Sequence, residues 1–129
     1  MLVNDNFTNI SKNNKVKNSI IHEYNLKLNF GENFNIPLLA EITTERILQL
    51  PRADLIKTAT VTFFADNTGK LWINDYYLLN SDSDSQTIKI DKKHFFIGNN
   101  TLKFYCKDTN ITQSEGNAWY VDLLIKFEY

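Results

Sequence analysis

One cysteine, two prolines, four glycines and two histidines are scattered over the 129 residues of this chain. The lone Cys106 excludes an internal disulfide framework and a cysteine-ligated zinc site. No apolar run approaches the ~20 residues that a membrane-spanning helix needs, so membrane insertion is not expected. The first nineteen residues, Met1 to Ser19, are rich in Asn and Lys and lack the apolar stretch of a secretory signal. The expectation is cytosolic synthesis, the protein either staying in the cytosol or leaving by lysis or as part of a virion-like particle. Charge of one sign is missing too. Fourteen basic and 15 acidic residues leave a net charge of −1, without the basic excess that marks nucleic-acid binders, so no nucleic-acid partner is expected.

Apolar side chains are well supplied. Hydrophobic residues make up 43% and aromatics 13% of the chain, enough for the core of one domain and against disorder as the global state. Four N-x-[ST] sequons, at Asn6, Asn9, Asn99 and Asn110, are a mild excess in a chain with 17 Asn and 17 Ser or Thr. Chance alone supplies roughly two, so they are read as composition rather than as glycosylation sites.

Beyond residue 22 the dominant signal is period two, the period of a strand with one wet face. Tyr24, Leu26, Leu28 and Phe30 alternate with polar residues up to Gly31, and a weaker alternation runs through Phe34, Ile36 and Leu38 around Pro37. Residues 43–50 contain helix formers such as Glu45 and Arg46, but Pro51 would end a helix at once, and they are read as a strand. Ala59, Val61, Phe63 and Ala65 form one face of a clear strand, with Phe64 on the other. Asp66 to Gly69 is read as a tight turn with Gly69 at positive φ, returning through Lys70 to Asn74 as a hairpin. Residues 87–90 and 101–106 are further strands, the latter with Leu102, Phe104 and Cys106 on one face. Between them Asp91 caps one helical turn through Phe96, closed by Gly98. The last strand sets Trp119, Val121, Leu123, Ile125, Phe127 and Tyr129 against a polar alternate set. Burying six such side chains is worth about 10–15 kcal/mol, and ordering a dozen residues costs about as much, so this strand needs a second sheet over it. The sum is an all-β chain, a β-sandwich of about seven or eight antiparallel strands over residues 23–129, preceded by an extended arm over residues 1–22.

From Ala59 onward the order of features resembles the galactose-binding-domain-like family of jelly-roll sandwiches. The stretch from Ala59 to Asn74 is similar to the family's strand, Ala-Asp turn and strand ending in Asn. Here Asp75 follows Asn74 where family members often carry Gly. Residues 90–102 and the strand after Ala118 continue the likeness over residues 59–129. What the resemblance implies is the jelly roll, in a family that includes carbohydrate-binding modules, adhesins, hydrolase accessory domains and parts of phage tails.

Catalysis is not expected. His22 and His94 have plain surroundings, Cys106 falls on the inward register, and no nucleophile elbow, phosphate loop or H-E-x-x-H motif occurs. Binding is expected instead. Trp72, Tyr105 and Tyr120, with Phe64, fall opposite the inward sets of their strands, where flat rings would stack on sugars or anchor a protein interface. The loops 80–85 and 107–117 add Asp108, Asn110, Gln113, Glu115 and Asn117 as hydrogen-bonding groups for a hydroxylated ligand. Asp82 and Asp84, in Ser81 to Ser85, are the candidate ligands of a structural calcium, although the loop lacks the Gly and terminal Glu of an EF-hand. No other cofactor is expected. The arm, with Lys12, Lys15 and Lys17 against Asp5, spaces Phe7, Ile10, Val16 and Ile20 as single anchors and is expected to lie along a protein partner subunit. Two functional readings follow: a structural or adhesion component of a larger assembly of the phage virion or tail type, or a carbohydrate-binding module.

Overall fold

The computed structural model describes residues 4–5, 14–16, 19–31, 40–109 and 119–129. Eight long strands carry the fold: β3 (Ser19–Gly31), β4 (Glu41–Leu50), β5 (Thr58–Asp66), β6 (Thr68–Ile73), β7 (Tyr76–Asp82), β8 (Gln86–Ile90), β9 (Gly98–Lys107) and β10 (Trp119–Glu128). Two short ones precede them, β1 (Asn4–Asp5) and β2 (Asn14–Val16). The first sheet runs β1-β4-β9-β6-β7 and the second β2-β3-β10-β5-β8. Every pairing among the eight long strands is antiparallel. Their order, β4-β9-β6-β7 against β3-β10-β5-β8, is that of a jelly roll, two interlocked Greek keys.

Alternation along the strands builds the core. In β5 every second residue from Ala59 to Ala65 is buried, and in β10 the same holds from Trp119 to Phe127. Tyr24, Phe63, Phe104 and Phe127 are fully buried between the sheets; Phe63 and Phe104 meet across the core with ring centroids 6.4 Å apart. Residues 43–50 are strand despite their helix formers. Arg46 points inward, its Nη1 donating to Thr44 Oγ1 at 3.3 Å and to the Glu45 carbonyl at 2.9 Å, which lets a guanidinium sit at the margin of a core.

Three expectations change. β5 and β6 are not a hairpin, because they lie in different sheets and the chain crosses the sandwich between them. Gly69 accordingly lies inside β6, and what requires it is space. A Cβ there would come within 2.6 Å of Ala65 Cβ and 2.7 Å of the Tyr105 carbonyl oxygen. The true hairpin is β6–β7, turned by Asn74 (φ 49°) and Asp75 (φ 66°). This pair of positive φ values is the signature of a type I′ turn, with Asp in the place Gly often takes. Finally, β3 starts at Ser19, so residues 19–22 of the expected arm are strand; His22 pairs with Phe127 and Ile21 with Glu128. The described parts of the arm pair within the chain, Asn4 and Asp5 with Ile47 and Leu48 of β4 in parallel, and β2 with the start of β3. The weak alternation at 34–38 lies outside the described residues.

Candidate functional site

At one end of the sandwich β4 stops at Leu50 opposite Gly98, β6 turns into β7 at Ile73 and Tyr76, and β5 starts at Thr58 opposite Glu128. This end also carries the 3-10 turn Ala53–Leu55 and the loop 91–97. Here lie the largest apolar exposures among the described residues: Ile97 (65%), Phe96 (58%), Leu55 (51%) and Tyr76 (50%). Ile20 joins them at the start of β3. Tyr76 stacks on His94, with ring centroids 3.8 Å apart and planes at 22°.

A hydrogen-bonded frame underlies the loop that carries Phe96 and Ile97. Asp91 caps the turn Lys92–His94 by accepting the Lys93 N–H at 3.0 Å, as the sequence implies. Asn100, fully buried at the start of β9, latches the rest. Its Oδ1 accepts the Phe96 N–H at 2.7 Å and Asn74 Nδ2 at 2.8 Å, while its Nδ2 donates to the Phe96 carbonyl at 2.9 Å and the Gly98 carbonyl at 3.1 Å. Asn74 reaches across from the β6–β7 turn, donating to the His94 carbonyl at 2.8 Å and accepting the Thr101 N–H at 2.9 Å. Gly98, at φ +96°, reverses the chain into β9. The Phe96 N–H and the His94, Phe96 and Gly98 carbonyls are thus met by these two amides, and the Phe96 and Ile97 side chains are left exposed.

The two ring sets expected on the sheet faces are there, half-buried, on opposite sides of the molecule. Trp72 and Tyr105 lie on the outer face of the first sheet with Tyr77. Trp72 packs 5.7 Å from Tyr77 and lies 4.8 Å beneath Lys103 Nζ, and the Tyr105 hydroxyl donates to Glu41 at 2.6 Å. That bond to Glu41 raises the Tyr105 pKa to about 12. Tyr120 lies on the outer face of the second sheet, 5.6 Å from Phe64 and 4.4 Å from Lys27 Nζ. No single ligand face holds all three predicted rings.

Of the predicted loop residues, Asp108 is fully buried beneath the surface, with its N–H donating to the Ala40 carbonyl at 2.8 Å. Its backbone ties the segment after β9 to Ala40, and its side chain does not reach the surface where a loop ligand was expected. Partial burial, and then the Asp108 charge, raise the pKa of nearby Asp66. Asn110, Gln113, Glu115 and Asn117 lie outside the described residues. Asp82 and Asp84 brace the β7–β8 turn: Asp82 Oδ1 accepts the Thr68 hydroxyl, Asp84 Oδ1 accepts the Asp82 N–H at 2.9 Å, and Asp84 Oδ2 accepts Gln86 Nε2. Among the described residues no three His, Cys, Asp or Glu side chains gather as a metal site. Cys106 is buried, and that burial pushes its thiol up to about 12.

Sequence reasoning missed the apolar end. Its signal was Phe95-Phe96-Ile97, three successive large apolar residues, of which a single short turn can bury only some.

No protein-family model and no curated protein matches the chain. Among solved structures it is similar to part of an α-L-rhamnosidase of Streptomyces avermitilis, solved with L-rhamnose. The TM-score is 0.57 at 24% identity, over 73% of this chain and 9% of that one. Looser matches are the CBM36-1 domain of a multidomain xylanase from the hindgut metagenome of Trinervitermes trinervoides (TM-score 0.41, 15% identity, 82% of this chain and 96% of that one) and Desmodium yellow mottle tymovirus (0.37, 7%, 84% and 86%). The first likeness shows the fold alone and is consistent with the galactose-binding-like sandwich that the sequence resembles; the other two carry no argument. The chain spans 9% of the length of the rhamnosidase it matches.

Proposed function

We propose that the chain is a non-catalytic interaction module of a larger protein assembly, docking through its apolar end onto further copies of itself. The observation that carries this reading is that Leu55, Tyr76, Phe96 and Ile97, each at least half exposed, share one end of the sandwich, with Phe96 fixed there by the Asn74–Asn100 latch. A large side chain offers about 200 Å², so the four expose roughly 400 Å². Patches of that size on a monomer are often functional. A standard interface buries about 800 Å² per partner, so the polar rim supplies the rest. That rim carries both signs, Lys92 and Lys93 near Asp54 and Asp91 around one cleft, Glu45 and Asp75 beside Phe96 around another. Under a two-fold axis one copy's lysines meet the other's carboxylates. The arm is a cover for the edges of β4 and β3 on this reading, since its described strands pair there.

Light scattering across a concentration series tests the proposal. A mass above the monomer is expected for the native chain, and a monomer for the pair Phe96→Ser and Ile97→Ser at an unchanged melting temperature. A native chain that stays monomeric at every concentration overturns it. Glycan recognition, the second reading, is favoured by a different surface, the ring pair Trp72–Tyr77 on the outer face of the first sheet.

A further inference from the structure

The four edges of the two sheets are not alike. β4 is paired on its outer side with Asn4 and Asp5, and β3 with Asn14–Val16. β8 carries the exposed Lys89, and a lysine on an edge discourages a further strand. β7 has neither guard. Residues Tyr76–Asp82 include no Lys and no Pro, and among the described residues no strand pairs beyond them.

The open part of β7 is short. The Asp82 N–H donates to Asp84 Oδ1 at 2.9 Å and so faces away from β6. Backbone groups alternate sides along a strand, so the N–H and carbonyl of Asn80 also face the open side. A register shift at Leu71/Trp72 leaves Leu78 without a counterpart on β6. Beside this stretch, between β7 and β8, lies a cleft of about 340 Å³. Leu78 and Ile88, both packed on the core, give it an apolar floor, and the exposed Asp82 and Asp84 stand on its wall. Among the described residues no Lys or Arg lines it. Lys70, opposite Asn80 on β6, lies over the Tyr105 ring, 5.8 Å from its centroid.

We infer that β7 takes, as an added strand, an extended segment of another protein that carries Lys or Arg. The main chain of the segment exchanges hydrogen bonds with Asn80. Its side chains alternate. One set enters the cleft over Leu78 and Ile88 and is apolar. The other lies along the outer face beside Asp82, where opposite charges pair across strands. The β7 of a second copy fits poorly, because a two-fold axis sets Asp82 and Asp84 against their own counterparts. This surface shares no residue with the apolar end, so either can stand without the other.

Fluorescence anisotropy with labelled heptapeptides and the native chain tests the inference. The first peptide, Thr-Lys-Val-Lys-Val-Lys-Thr, sets apolar and basic residues on opposite sides of a strand. The second has Glu for every Lys. The third is the first with its Val and Lys amides N-methylated, which keeps the charge and removes the donors an edge needs. The first should bind. The Glu peptide should bind about tenfold more weakly or worse, and the methylated peptide should not bind. Asn80→Lys, at an exposed position, should keep the native melting temperature and weaken the first peptide about tenfold, because it puts a lysine on the edge. The Phe96→Ser, Ile97→Ser pair should bind as the native chain does. A basic peptide that fails to bind overturns the inference. So does binding that N-methylation, Glu for Lys, or Asn80→Lys leaves unchanged.

Discussion

Asn100→Ala tests the latch that holds the apolar end. The amide is fully buried and makes four hydrogen bonds, two accepted and two donated. Truncation removes all four. Asn74 Nδ2 keeps the His94 carbonyl as an acceptor, but the Phe96 N–H loses the partner that Asn100 supplies. Net contributions near 0.5–1.5 kcal/mol per bond, with a larger penalty for a buried donor left unmet, put the loss at about 2–4 kcal/mol. Unfolding entropy near 2.1 cal/mol/K per residue makes about 3 kcal/mol in a chain of 129 residues a drop of roughly 11 °C in melting temperature. Urea unfolding followed by the fluorescence of Trp72 and Trp119, with calorimetry, reads both quantities. Asn100→Asp keeps the accepting oxygen, loses both donated bonds and buries a charge, so at neutral pH it should fall at least as far. Amide exchange at Phe96 should quicken in both variants. An Asn100→Ala protein within about 0.5 kcal/mol of the native chain, the usual spread of innocuous substitutions, would refute the reasoning.

Gly69→Ala should destabilise by about 1–3 kcal/mol or prevent folding, because its Cβ meets backbone at Tyr105 as well as Ala65; a neutral effect in urea denaturation would show that the sheets can separate there. Burial raises the pKa of Cys106 and Tyr129 to about 12. Both groups ionise more readily unfolded, near 8.5 and 10. Their stabilisation is therefore complete below about pH 8.5 and is lost as pH rises toward 12. The urea midpoint should fall over that window, and Cys106 should resist thiol reagents until the protein unfolds. Asp82 and Asp84 already accept hydrogen bonds within their own turn, so millimolar calcium should leave the melting curve where a chelator leaves it; a calcium-dependent rise would identify them as ligands.

The strands most legible in sequence are those flanked by neighbours on both sides, where one face is dry and the other wet: β5, β9 and β10. β7 was not legible. Tyr76-Tyr77-Leu78-Leu79 is a run without a period, because this edge strand opens onto the β7–β8 cleft and a register shift at Leu71/Trp72 disturbs its pairing. The start of β3 was hidden likewise, since Ile20, Ile21 and His22 lie at the rim and none is fully buried. For the site, the outward register of Trp72, Tyr105 and Tyr120 could be read directly, but their division between two outer faces could not, because strand order is a long-range property. Asp108 looked like a loop ligand because nothing local records that the chain bends inward to Ala40. Phe96 and Ile97 escaped notice because a short turn has no period from which to tell its wet side.

The first and last long strands are hydrogen-bonded neighbours. Ile20 and Tyr129 each donate an N–H to the other's carbonyl, at 3.2 and 2.8 Å, so Ser19 and Tyr129 lie side by side at one end of the β3–β10 ladder. Tension between Ser19 and Tyr129 would therefore part β3 from β10 one rung at a time, starting at that pair, rather than shear the whole ladder at once. Pulled in that direction the domain is a zipper that yields at low force, even though its core is well filled.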